Sequence, residues 1–235
     1  MKHLLCLGCL LMSNLNKVSA QNRYDFKKVY DSAQGINIYN KLVEGLDADS
    51  SRLNQKGEKA QGWLEDYYAD GKLLHKGFYK NGKLVVFRNY FPNGSCERVL
   101  LNPTPLNQSL EVYYEDGAQK LVQIFFNHQT RKRSEYYTNG ILKRKEEYDR
   151  EGKTLLLMEM HNEKGIKVED IHVQDAKSGR YLFKAYYDNG KLKEEGILKL
   201  YTYLDKKPAF RKIGIWSSYD ANGENKTTYN TKGLE

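Results

Sequence analysis

Short segments that favour β-strands alternate with polar turn signals through most of the chain. Segments such as Leu84–Tyr90 and Leu121–Phe126 are rich in β-branched and aromatic residues, which strands favour. Asp-Gly and Asn-Gly pairs separate them, and these pairs accept the positive φ angles that tight hairpin turns require. No comparable helical period runs through residues 60–235. The pattern therefore predicts an all-β chain built from antiparallel hairpins.

The turn signals belong to an internal repeat. The pattern is two aromatic residues, any residue, Asp or Asn, and Gly, and it begins at Tyr67, Tyr90, Tyr113 and Tyr136, which are evenly spaced. Looser copies follow at wider intervals from His161, Tyr186 and Tyr219. The interval before Tyr219 is the widest and places an insertion near residues 197–213. An even spacing of this kind predicts stacked units that depend mainly on their neighbours.

A second set of turns lies between the repeat signals. Lys80-Asn81-Gly82 is the clearest, residues 150–152 and 177–179 hold similar places, and residues 102–105 and 127–129 are expected to turn without Gly. One strand then fits between successive turns. We predict an extended antiparallel meander of about 15 strands, a single elongated sheet of stacked β-hairpins over residues 52–235. Residues 21–51 are expected to cap it, with a short amphipathic helix over Ile38–Leu46.

The N-terminus has the layout of a secretory signal peptide. A short basic start is followed by an apolar run over Leu4–Met12 and by the small-residue end Val18-Ser19-Ala20. This apolar run is too short to span a bilayer, which requires about 20 residues in a helix. We expect cleavage after Ala20 and export to the periplasm or cell envelope. An alternative is lipid attachment at Cys9, which would leave only about five apolar residues before the modified Cys.

Several runs resemble the bacterial MORN-repeat variant family. The similarity lies in residues 67–73, 77–83 and 186–196, and in Gly214-Ile215-Trp216-Ser217-Ser218-Tyr219, with Gly62-Trp63 as a similar start. It extends over about residues 52–235 and implies a sheet of stacked hairpins. Members are often labelled antitoxin components, and the wider MORN class is associated with protein and membrane-lipid contacts. The family supplies no catalytic residues to carry over. The chain departs from the pattern at His161 and at 197–213.

No motif for catalysis, metal binding or a cofactor stands out in the sequence. The histidines lack metal-ligand spacing, no Cys-x-x-Cys remains after residue 20, and Walker and dinucleotide glycine motifs are missing. Cys96 would be the single cysteine of the exported chain, so no internal disulfide can form. We therefore expect neither an enzyme nor a cofactor or metal. The net charge of +8 becomes +6 once Lys2 and Lys17 are removed, and its mixed signs do not suggest nucleic-acid binding.

Tyrosine is the residue type that invites a functional hypothesis. The chain has 19, and the first tyrosines of the repeats would share one position on successive hairpins. They define a candidate binding face or, as the alternative, the packing of the repeat itself: Tyr67, Tyr90, Tyr113, Tyr136 and Tyr186. We expect a protein-interaction or scaffold module whose partner is another envelope protein. The alternatives are an antitoxin or immunity protein, and a binder of glycans or anionic lipid head groups.

Overall fold

The computed structural model describes residues 22–24, 56–68, 70–104, 106–203 and 206–231. The predicted signal peptide, most of the cap segment and the predicted helix over Ile38–Leu46 lie outside these ranges. The described chain divides into two compact units, one ending at Gly94 and the other beginning at Ser95. Each unit consists of strands and turns. The all-β class and the antiparallel meander predicted from the sequence are confirmed, because the strands follow one another in chain order, β2–β4 in the first unit and β5–β15 in the second.

The first unit contains a short parallel strand and a three-stranded antiparallel meander. β1 (Asn22–Tyr24) runs parallel to β2 (Gly62–Tyr68), which pairs with β3 (Leu73–Lys80). β3 in turn pairs with β4 (Lys83–Tyr90). Asn81 and Gly82 connect β3 to β4 with φ angles of 52° and 79°. Two consecutive positive φ angles are characteristic of a two-residue type I′ hairpin loop, so the clearest turn predicted from the sequence is confirmed.

One side of the first unit is buried and includes polar groups. Leu64, Tyr79 and Phe87 are buried there, together with His75 and Asn89. The Nδ1 atom of His75 lies 2.6 Å from Oδ1 of Asn89, and its Nε2 atom lies 3.0 Å from the hydroxyl oxygen of Tyr79. Both ring nitrogens are therefore satisfied within the sheet, which offsets the cost of removing the imidazole from water.

The second unit is a longer antiparallel meander. Its eleven described strands are β5 (Cys96–Thr104), β6 (Asn107–Tyr113), β7 (Gln119–Phe126), β8 (Gln129–Tyr136), β9 (Leu142–Tyr148), β10 (Leu155–His161), β11 (Lys167–Asp175), β12 (Arg180–Tyr186), β13 (Leu192–Tyr203), β14 (Lys206–Ser218) and β15 (Thr227–Thr231). The two-residue loop between β7 and β8 contains Asn127 and His128, with φ angles of 48° and 63°. This confirms a hairpin turn without Gly at residues 127–129.

One detail differs from the sequence-based expectation. The turn expected at residues 102–105 is displaced, because β5 continues to Thr104 and the chain reverses only between Thr104 and Asn107. Pro103 is tolerated inside this strand near its end, where the ladder is already irregular. The extra residues near 197–213 lengthen β13 and β14 to 12 and 13 residues, which pair as far as Tyr203 and Lys206.

The hydrophobic core of the second unit lies on one side of its strands, which we call the core face. Met158, Ile171, Tyr181, Leu198 and Trp216 are buried there, one from each of β10, β11, β12, β13 and β14. Their positions follow from the register, because Met158 pairs with Ile171 and Tyr181 pairs with Leu198. Successive side chains alternate between the two sides of a strand. The residues next to these core residues therefore lie on the opposite side, which we call the open face.

Candidate interaction surface

The repeated Asp-Gly or Asn-Gly turn fixes where the paired tyrosines sit. After β8, the amide of Gly140 donates to the carbonyl oxygen of Tyr137, and the amide of Tyr137 donates to the carbonyl oxygen of Ile141. The Asn139 side chain closes the turn by accepting from the amide of Ile141 at 3.0 Å. Gly140 has a φ of 80°, which a residue with a Cβ adopts only at a cost. Each such turn thus places one tyrosine at the end of a strand and the next at the start of the turn.

The second tyrosine of each pair connects neighbouring repeats. Its hydroxyl donates a hydrogen bond to a backbone carbonyl oxygen at the equivalent turn of a later repeat. Phe91 has no hydroxyl with which to make this bond, and Ser95 Oγ donates instead to the carbonyl oxygen of Glu115, the third residue of the next repeat. The donor and acceptor pairs are Tyr68 to Tyr90 (2.6 Å), Tyr114 to Tyr136 (2.9 Å), Tyr137 to His161 (2.9 Å) and Tyr187 to Tyr219 (2.8 Å). These rings are structural ties between repeats.

The first tyrosines occupy equivalent strand ends and are all half-buried. Tyr67 and Tyr90 belong to the first unit, whereas Tyr113, Tyr136 and Tyr186 end β6, β8 and β12 on the open face of the second. In the second unit each ring stands opposite a residue of the next strand, Gln119, Leu142 and Leu192 respectively. Since they occur on every second strand or less often, neighbouring rings are about 10 Å or more apart. They form a spaced row along the turn edge, without stacking on each other.

Some of the first tyrosines bind the glutamate two residues earlier on the same strand. The Tyr67 hydroxyl donates to Glu65, and the Tyr113 hydroxyl donates to Glu111. The hydrogen bond to the Glu65 carboxylate is the main cause that raises the pKa of Tyr67 to about 12. The Tyr67 hydroxyl therefore stays protonated over the physiological pH range and remains a hydrogen-bond donor.

Lysines cover the rings of the second tyrosines at the turn edge. The Nζ atoms lie 5.3 to 5.6 Å from the ring centroids, in the pairs Lys120–Tyr114, Lys143–Tyr137 and Lys193–Tyr187. In the last repeat, Lys226 Nζ lies 5.7 Å from the ring centroid of Tyr219, which holds the first position. Such cation–π contacts stabilise exposed sites by about 0.5–1 kcal/mol. The second tyrosine of a repeat thus donates a hydrogen bond through its hydroxyl and contacts a lysine through the face of its ring. Both uses support packing of the repeat.

An apolar row crosses the open face between β10 and β14. The register places Leu182 opposite Ile197, and Ile197 opposite Ile213, with His172 opposite both Leu157 and Leu182. Leu182 is 45% exposed, and Ile215, two residues beyond Ile213, is 70% exposed. We call Leu157, Leu182, Ile197 and Ile213, with Ile215, the apolar row. His172 lies between Leu157 and Leu182, and its Nε2 atom is 2.5 Å from Oδ1 of Asp170. A face that is opposite a filled core and solvent-exposed usually carries polar residues, so this row is a departure from that pattern.

A charged row lies on the turn-edge side of the apolar row. Its residues pair across successive strands as Glu159–Asp170, Asp170–Lys184 and Lys184–Glu195. Lys167 reaches into it, with Nζ 2.5 Å from Oε1 of Glu159 and 3.3 Å from Oδ2 of Asp170. The hydrogen bond between Lys167 and Glu159 lowers the pKa of Glu159 and raises the pKa of Lys167. Opposite charges thus largely balance one another along this row.

A basic row lies on the other side of the apolar row. Arg180 stands opposite Lys199, and Lys199 stands opposite Arg211, so three cations occupy one line across β12, β13 and β14. Arg180 and Arg211 are exposed and Lys199 is half-buried. Lys199 Nζ and the Arg211 guanidinium lie 5.3 and 5.7 Å from the ring centroid of Tyr201. On β11 the residue opposite Arg180 is Asp175, so the basic row spans β12–β14 and ends at an acidic residue.

Sequence reasoning did not identify the apolar and basic rows. The cations of the basic row are far apart in sequence and lie on three different strands. Only the strand register brings them together. Within the described ranges, no group of three or more His, Cys, Asp or Glu side chains is placed to hold a metal ion. Over the same ranges, no helix is long and apolar enough to cross a membrane.

The strands, turns and interrepeat bonds define a β-hairpin repeat protein. Three segments match the family model described as the MORN repeat variant, over residues 64–81, 132–150 and 182–199. Each match spans two antiparallel strands and their Asp-Gly or Asn-Gly turn, at Gly71, Gly140 and Gly190. These three segments are MORN repeat variants, and the resemblance to that repeat is confirmed for them. No curated protein matches the chain in sequence.

Proposed function

We propose that the chain is a non-enzymatic protein-interaction module of the cell envelope, and that it binds its partner through the open face of β10–β14. The observation that carries the proposal is the apolar row, in which Leu182 and Ile215 remain largely exposed on the side opposite a filled core. Contiguous apolar surface bordered by charged residues is characteristic of protein-binding sites. MORN repeats, which this chain carries, are generally protein- or membrane-interaction modules.

The rigidity of the face supports this proposal. Each strand of β10–β14 is fixed from behind by a buried residue of the core face, and Trp216 is completely buried. The tie from Tyr187 to the carbonyl oxygen of Tyr219 joins the turn after β12 to the end of β14. A partner would thus meet a preformed surface and would lose little free energy to ordering it.

Export is the second part of the proposal and is supported by the sequence of residues 1–20. Fractionation of the native cells, followed by N-terminal sequencing of the purified chain, tests it. We expect the chain in the envelope fraction and a mature N-terminus at Gln21. Recovery of a chain that still begins at Met1 in the cytosol would contradict this part and leave the interaction surface untouched.

The interaction itself is tested by affinity purification of the full chain, tagged at its C-terminus, from native envelope extract. The matched variant is Leu182→Ser with Ile215→Ser, which removes the two most exposed side chains of the apolar row. We expect one protein to copurify in fixed stoichiometry with the unchanged chain and to be lost with the variant. A partner retained equally by the variant, or no reproducible partner at all, would refute binding through this face. Circular dichroism establishes that the variant is folded.

A further inference from the structure

We propose that the partner element seated on this face is an amphipathic α-helix with acidic residues along one flank. This inference rests on the proposed function and names the class of partner. It commits to a helix lying across the strands of β12–β14, along the apolar row, with its acidic flank over the basic row.

The spacing of the apolar row suits a helix. Residues directly opposite each other on adjacent antiparallel strands are about 4.5–5.5 Å apart. One turn of an α-helix rises about 5.4 Å, so apolar side chains at i, i+4 and i+7 repeat at nearly the same interval. A helix lying along the row would therefore place successive turns over Leu182, Ile197 and Ile213, which the register holds in line. An extended strand, whose same-side residues repeat every ~6.8 Å, fits this interval less well.

The basic row supplies charge complementarity along one flank. Arg180, Lys199 and Arg211 are each two residues from the apolar row on their own strands, which corresponds to ~6.8 Å along a strand. A helix with its side chains is about 10–12 Å across, so the flank of a helix centred on the apolar row lies about 5–6 Å to one side, within reach of the long side chains of the basic row. Acidic residues spaced one turn apart on that flank would face the three cations in sequence.

The opposite flank of the helix would lie over the charged row, which carries both signs of charge, and this difference between the two flanks fixes the orientation of the helix. The charged row places Lys184 opposite Glu195, and Ser217 follows opposite Glu195 on β14. Its charges offset one another, so this side does not select a strongly charged flank. The asymmetry predicts acidic residues on one side of the partner helix only.

The test uses the full chain and, as the probe, a fluorescein-labelled helical peptide about five turns long. The peptide carries a leucine stripe at helical spacing, glutamates on one flank and glutamines on the other. A second peptide replaces the glutamates with glutamine. Binding is followed by fluorescence anisotropy against the unchanged chain and against Arg180→Glu with Lys199→Glu. The matched control is Lys120→Glu with Lys143→Glu, which reverses the charge of two exposed lysines at the turn edge.

We expect the acidic peptide to bind the unchanged chain. The basic-row variant should bind the peptide with an affinity lower by roughly ten-fold or more, whereas the turn-edge control should change the affinity by less than about two-fold. The glutamine peptide should bind as weakly as the basic-row variant does. Lys199→Glu alone should raise the midpoint of thermal unfolding while weakening binding, because it places an opposite charge between the two arginines. Arg180→Ala with Lys199→Ala repeats the binding measurement without reversing charge.

Three results would overturn the helix assignment. The first is that the acidic peptide does not bind the unchanged chain. The second is that the basic-row and turn-edge variants lose affinity for the peptide equally. The third is that the chain binds phosphatidylglycerol vesicles but not the peptide, and that the basic-row variant no longer binds the vesicles. The last result would assign the row to an anionic membrane surface. Failure here is separable from failure of the proposed function. If the envelope partner still requires Leu182 and Ile215, the interaction face stands and only the helical partner is rejected.

Discussion

At the scale of single residues, the two tyrosines of each repeat have different roles although they are adjacent in sequence. The second donates its hydroxyl to a carbonyl oxygen of the following repeat, as Tyr137 does to His161. The first is half-buried at the end of a strand, as Tyr136 is at the end of β8. Alternation along the strand separates the two rings, because successive side chains leave opposite sides. Stability should therefore depend on the second tyrosine more than on the first.

Tyr137→Phe tests this difference. The substitution removes one hydroxyl and leaves the carbonyl oxygen of His161 without that donor, so we expect the free energy of unfolding to fall by about 0.5–1.5 kcal/mol. Urea denaturation followed by circular dichroism measures it. Tyr136→Phe is the matched control, removing the same group one residue away, and it should change stability by less than about 0.5 kcal/mol. Equal losses in the two variants would show that the tie between repeats contributes nothing of its own.

The contact between Glu159 and Lys167 gives a pH dependence with a definite sign. The lysine hydrogen bond lowers the folded-state pKa of Glu159 below the ordinary value of 4.5. A depressed carboxyl pKa contributes stability that is present above 4.5 and is lost as the pH falls through the lower folded-state value. We expect the thermal midpoint to decline in this acid range, and less steeply in Glu159→Gln. An unchanged acid decline in that variant would assign the loss of stability to other carboxylates.

At the scale of strands and hairpins, the close approach of β13 and β14 depends on a glycine. A Cβ at Gly196 would lie 2.4 Å from Cδ2 of Trp216, closer than side chains tolerate. The indole is completely buried, its Nε1 donates to the carbonyl oxygen of Ile213, and Lys212 Nζ lies 4.3 Å from the ring centroid. These contacts leave the ring little freedom to move away. Gly196 thus makes room for the largest residue of the core.

Gly196→Ala should destabilise the chain by about 1–3 kcal/mol, the usual cost of overpacking a core. Chemical denaturation of the single variant, of Trp216→Leu, and of the double variant forms a thermodynamic cycle. Since the smaller side chain removes the clash, the double variant should lose less than the sum of the two single losses. Strict additivity would show that the methyl group and the indole do not compete for the same space.

The sequence was informative about hairpins and less so about which residues stand opposite each other. Asn81-Gly82 and Asn127-His128 were predictable as turns because their side chains tolerate positive φ, which both loops have. Pro103 and Pro105 suggested a turn too early, because proline also occurs at irregular strand ends. The pairing of Arg180 with Lys199 follows from the turn at Gly190. The pairing of Lys199 with Arg211 does not, since the connection after β13 contains neither Gly nor Asn.

At the scale of the whole molecule, a hairpin repeat should behave as a removable unit. Residues 115–137 form one full repeat between equivalent points of two turns, and they contain β7 and β8. Their deletion joins Tyr114 to Thr138 and leaves β6 antiparallel to β9, with every remaining side chain on its original face. Because each hairpin depends mainly on its neighbours, we expect the shortened chain to fold with a moderately lower thermal midpoint.

Deleting residues 115–128 instead removes β7 alone, so β6 and β8 would run in the same direction without a crossover connection. That control should lose cooperative unfolding, as followed by circular dichroism and calorimetry. If both deletions unfold alike, the stability of this chain resides in interactions that extend beyond adjacent hairpins.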